Sequence, residues 1–69
     1  MKQSLIRKVR AERELARRER QLAAQDLHEA FLYGGPLEQE RREHAELHLA
    51  AARQHERIAD AIERAAATS

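Results

Sequence analysis

Apolar residues recur along this chain at spacings of three and four, and the pattern breaks only once. Wound at about 100° per residue, Leu5, Val9, Ala16, Ala23, Leu27 and Ala30 fall on one helical stripe, with Ile6 and Phe31 at its edges. A second, thinner strip holds Ala11, Leu15, Leu22 and Tyr33, about a third of a turn away, and Lys8, Glu12, Glu19 and Asp26 lie between the two. In the second half a heptad-like seam runs through Leu37, Arg41, His44, His48, Ala51, His55, Ile58, Ile62 and Ala65. Ala45, Leu47, Ala52, Ala59 and Ala66 widen it. Three of the four histidines therefore lie on the most apolar face of that segment.

The break is Gly34-Gly35-Pro36, which holds every glycine and the single proline of the chain. Glycine suits the left-handed residue that ends a helix, and proline suits the first turn of the next, where its missing N–H is not needed. Glu38 and Glu40 follow, where a helix N-terminus favours negative charge. The pattern predicts one helix over about residues 3–33 and a second over about 36–66, each roughly 45 Å long, with Thr68 and Ser69 fraying. Equal helices joined by a short turn make an all-α, antiparallel, coiled-coil-like hairpin, a single domain over residues 1–69.

A hairpin needs one buried stripe per helix, and the first helix offers two. The second strip predicts another neighbour: a four-helix bundle completed by dimerisation or by docking on a larger protein. A lone hairpin this rich in alanine has little apolar area to offset the entropy of ordering. Phe31, Leu32 and Tyr33 point in different directions on a helix. The sequence admits two uses for them, a plug that closes the end of the bundle, which is the reading preferred, or a tip that docks on a partner.

Composition narrows the class further. The 69 residues include no cysteine, 3% aromatic and 36% charged residues, with fourteen alanines and eight leucines. That mixture argues for helices and against a sandwich, a barrel or a nucleotide-binding α/β domain. Without cysteine, neither disulfides nor thiolate metal clusters are available. Net charge is +1, but residues 1–20 carry +5 and the rest −4, which suggests an anionic partner or charge-matched self-assembly. Eleven of thirteen basic residues are Arg, a bias expected of a GC-rich bacterial or phage genome. Leu5-Ile6 runs straight into Arg7-Lys8, so no signal-peptide core is expected, and no stretch approaches a membrane span. The expected location is cytoplasmic.

Candidate chemistry is sparse. His44 and His48 stand at i, i+4 with Glu40 a turn earlier, an arrangement able to hold Zn²⁺ or another divalent ion. His55 lies two turns farther on. The Glu-x-x-His repeats of di-iron bundles are absent, since Arg41, Ala45 and Ala52 precede the three histidines by three. The alternative, preferred here, keeps the histidines as seam residues paired across the hairpin with carboxylates such as Glu12 or Glu19, with no cofactor. Ser4, Tyr33, Thr68 and Ser69 form no nucleophile constellation, and Gly34-Gly35-Pro36 lacks the Lys and Ser/Thr of a phosphate loop. The chain is therefore not expected to be an enzyme. Arg7, Arg10, Arg13, Arg17 and Arg20, with Lys2, line one side of the first helix over roughly 20 Å, a stripe suited to an RNA or DNA backbone. Glu14 interrupts it, and no aromatic residues interleave to stack on bases.

The plan of equal helices about one turn resembles the small dimeric helical hairpins that modulate plasmid RNA pairing, a likeness of architecture that by itself carries no function. Three readings follow. The first is a non-enzymatic interaction or regulatory module that self-associates or joins a larger complex through Leu15, Leu22, Phe31, Leu32 and Tyr33. The second is a nucleic-acid-binding hairpin dimer using the arginine stripe. The third is a metal or pH sensor at Glu40, His44 and His48.

Overall fold

A computed structural model describes residues 2–68. Helix α1 spans Gln3–Tyr33 and helix α2 spans Glu38–Thr68. Between them Gly35–Leu37 form one 3-10 turn. Gly34 ends α1 with φ 54° and ψ −148°, a conformation that side chains disfavour, and its N–H donates to Ala30 O at 3.0 Å. Gly35 follows at φ 73°, and Pro36 sits in the first turn of the 3-10 segment, where it costs no hydrogen bond.

The α2 boundaries differ from expectation at both ends. Leu37 belongs to the 3-10 turn, so α2 begins at Glu38, with Glu38 and Glu40 in its first turn. At the other end Thr68 stays helical, its hydroxyl donating to Ala65 O at 3.1 Å and Arg64 O at 3.3 Å. Ser69 lies outside the described residues.

The two helices pack along their whole length in a rod of 53 × 15 × 11 Å. Cross-helix pairs run Glu12 with His55, Glu19 with His48 and Glu29 with Arg41, so numbers rise on one helix as they fall on the other. The hairpin is antiparallel.

Its core is one valine and six alanines: Val9, Ala16, Ala23 and Ala30 from α1, and Ala45, Ala52 and Ala59 from α2. Small residues repeated every seventh position let two helices approach closely along a straight seam. Among the described residues no large side chain is fully buried. The α2 seam thus departs from expectation. Arg41, His48, His55 and Ile62 line it as predicted, and Ala45, Ala52 and Ala59, expected only to widen it, form its buried centre, whereas Leu37, His44, Leu47 and Ala65 are exposed and Ala51 and Ile58 stay half-buried at its flank. On α1, Leu27 stands 40% exposed beside the seam. The second register of that seam belongs instead to Glu12, Glu19 and Asp26, all half-buried.

Candidate functional site

The seam alternates alanine layers with polar ones, and the polar layers are histidine–carboxylate pairs. His55 Nδ1 lies 2.6 Å from Glu12 Oε2, and one heptad along His48 Nδ1 bonds Glu19. Toward the turn His44 Nδ1 lies 2.8 Å from Asp26 Oδ2, while His48 Nε2 approaches the same oxygen at 3.7 Å. The heptad that brings alanine to the middle of each helix also delivers an acid from α1 opposite a histidine from α2. Arg41 completes the series by donating to Glu29. No buried side-chain nitrogen or oxygen lacks a partner among the described residues, as a polar seam requires. The expected pairing of the histidines with Glu12 and Glu19 is therefore observed.

The metal-ligand expectation is redrawn. Asp26, His44 and His48 each offer a ligand atom within 4.8 Å of the others. Glu40 contributes none to this cluster. It stands exposed on the first turn of α2, lining an open cleft with Asp26, Leu37, Arg41 and His44. The third candidate donor, Asp26, comes from the facing helix, which within-helix spacing cannot reveal. The rings of His44 and His48 meet edge to face, centroids 4.6 Å apart.

The flanks of the seam differ in character. On one, Arg13 pairs with Glu63 and Asp60, and Arg20 pairs with Glu56. Hydrogen bonding to Glu63, with a smaller part from Asp60, raises Arg13 above its ordinary value, and Arg20 holds the Glu56 carboxyl below its own. Arg17 is taken up within its own helix by Glu14, which raises it likewise. Three of the five stripe arginines are thus engaged by carboxylates. Arg7 and Arg10 carry no ion pair among the described residues.

Helical periodicity puts Leu15 and Leu22 of α1 on the other flank, with Ala51 and Ile58 of α2. Leu15 is 40% and Leu22 39% exposed, while Ala51 and Ile58 are half-buried. This flank is a shallow apolar strip with no cover. Beyond it, Phe31 is 82% and Tyr33 75% exposed, with Leu32 and Leu37 also open. Within one hairpin Phe31, Leu32 and Tyr33 stand exposed at the turn end of the rod.

The fold also sharpens the charge asymmetry. The half of the rod remote from the turn (residues 1–20 and 53–69) holds eleven basic against six acidic residues, a net of +5. The turn half (residues 21–52) holds two basic against six acidic, a net of −4. The division runs along the rod, not between its helices. No described helix is long and apolar enough to cross a membrane.

Comparison with protein-family models, with curated proteins and with solved structures finds no match for this chain.

Proposed function

We propose that this chain is a small non-enzymatic interaction module whose first partner is a second copy of itself, docked along the Leu15–Leu22 flank with the two hairpins running in opposite directions. The observation that carries the reading is the coincidence of an uncovered apolar flank with a charge dipole along the rod. Leu15, Leu22, Ala51 and Ile58 present the flank, and a core of one valine and six alanines leaves most of the apolar area outside it. Burying that flank supplies the hydrophobic stabilisation that the seam lacks.

Charge sets the orientation. Side by side and head to tail, the +5 half of each copy lies against the −4 half of the other. Side by side and parallel, like charges face like along the full rod. The groups without ion pairs among the described residues make the same point, with Arg7, Arg10, Arg53 and Arg57 in the open half and Glu40 and Glu46 in the turn half. The result is a two-fold, self-complementary four-helix bundle. Phe31, Leu32 and Tyr33 then stand at both ends, where a larger assembly can be engaged. Binding of a nucleic-acid backbone by the arginine stripe has less support, because carboxylates already compete for Arg13, Arg17 and Arg20.

The chain has no cysteine of its own, so single thiols report orientation cleanly. With a short bis-maleimide, a mixture of Ser4→Cys and Gln39→Cys copies is expected to cross-link. Gln39→Cys alone is not, since an antiparallel pair holds its two turns about 45 Å apart. Cross-linking of Gln39→Cys with itself, or of neither arrangement, overturns the proposal.

A further inference from the structure

We propose that Asp26, His44 and His48 form a binding site for a divalent transition-metal ion of the zinc class, with Glu19 as the positioning residue that holds His48 for ligation. The site is built by one chain and does not depend on the dimer.

His44 and His48 share one face of α2 at i, i+4 spacing, and Asp26 meets them from α1, so the three ligands straddle the hairpin. Two imidazole nitrogens and a carboxylate oxygen suit Zn²⁺ and its first-row neighbours, and exclude the all-oxygen preference of Ca²⁺ and Mg²⁺. Tetrahedral zinc with bonds near 2.0–2.1 Å keeps its ligand atoms roughly 3.3 Å apart. The two separations from Asp26 Oδ2, 2.8 Å to His44 Nδ1 and 3.7 Å to His48 Nε2, lie on either side of that value. Small side-chain adjustments bring all three to a common ion.

Glu19 can only accept, so His48 Nδ1 donates to it. A neutral His48 then carries its proton on Nδ1 and its lone pair on Nε2, the atom that faces Asp26. A carboxylate that orients a histidine in this way is the usual outer partner of a metal ligand. Farther along the seam Glu12 orients His55 by the same device, but among the described residues no third donor joins them. The two layers differ only in what surrounds the histidine, which makes the Glu12–His55 layer an internal control.

The surroundings favour a cation. The site lies in the −4 half of the rod. The guanidinium that lines the adjoining cleft, Arg41, is already held by Glu29. The open cleft lined by Asp26, Leu37, Glu40, Arg41 and His44 leaves room for water as the fourth ligand. Ligation through His44 Nδ1 and Asp26 Oδ2 takes the place of the hydrogen bond between them.

The test is titration of the intact chain with Zn²⁺ by calorimetry, and with Co²⁺ by its visible absorption. We expect one ion per chain, abolished in His48→Ala and His44→Ala and unchanged in His55→Ala. Glu19→Gln, which keeps the length of the side chain, is expected to weaken binding about 10- to 100-fold. Because seam variants can lose the fold, a measurement on the unmodified chain stands beside them. Of the four histidine ring signals in its NMR spectrum, Zn²⁺ should move those of His44 and His48 and leave His28 and His55 in place. No binding to the unmodified chain, or equal displacement of all four rings, overturns the proposal.

Discussion

His55 Nδ1 stands 2.6 Å from the Glu12 carboxylate in the middle of the helix–helix seam, at a position where a coiled coil ordinarily carries a large apolar residue. Both groups are half-buried, so the pair is shielded more than a surface ion pair and less than a core one. A double-mutant cycle with Glu12→Gln and His55→Ala is expected to give a coupling of about 0.5–1.5 kcal/mol in denaturant unfolding. The exposed Arg13–Glu63 pair should give less, about 0.2–1 kcal/mol. Equal couplings would remove the seam pairs from the account of stability.

The alanine layers set the spacing of the helices. Ala52→Leu forces three extra heavy side-chain atoms into a fully buried site and is expected to cost about 1–3 kcal/mol. Ala50→Leu, on the exposed face two residues away, should stay within about 0.5 kcal/mol of the parent. Thermal or urea unfolding of the two variants separates them.

The turn depends on one backbone conformation. Gly34 at φ 54° and ψ −148° lies where glycine alone is at ease, although a Cβ there would meet nothing within 4 Å. Gly34→Ala therefore strains the chain without a clash and is expected to lose about 1–3 kcal/mol of stability, with helical content retained at low temperature. A neutral outcome would mean that the turn adopts another conformation.

The Arg20–Glu56 pair has a pH signature. Arg20 lowers the folded carboxyl below its ordinary 4.5, so the unfolded chain takes up the proton first as acid is added. The pair therefore stabilises the hairpin above that ordinary value and loses its contribution as pH falls through the depressed one. Glu56→Gln is expected to flatten the acid limb of the melting-temperature profile and to leave the slope above pH ~6 unchanged. An unchanged acid limb would contradict this.

The hairpin was legible in sequence because its signals are local. Gly34, Gly35 and Pro36 are backbone chemistry, and a three-and-four spacing of apolar residues is geometry. The seam of α2 was legible only in part. Hydrophobic periodicity favours large residues and so centres the seam on residues such as Ile58 with Ala45, Ala52 and Ala59 at its edge, whereas close approach puts those small alanines at the centre. Glu12, Glu19 and Asp26 read as the polar divide between two apolar strips, since polarity alone says nothing of an imidazole waiting on the opposite helix. For the same reason sequence spacing groups Glu40 with His44 and His48 as candidate donors. Spacing along one helix cannot register Asp26, which arrives from the other.

The central claim is that this chain completes its core with a copy of itself, and sedimentation equilibrium tests it most directly. The account predicts a mass of twice the 8.0 kDa chain at micromolar concentration. It also predicts a shift toward the single-chain mass in Leu15→Glu/Leu22→Glu, which charges the apolar flank while sparing the alanine seam. A parent chain that sediments at 8.0 kDa across the accessible range, or a double variant that dimerises as well as the parent, would contradict it.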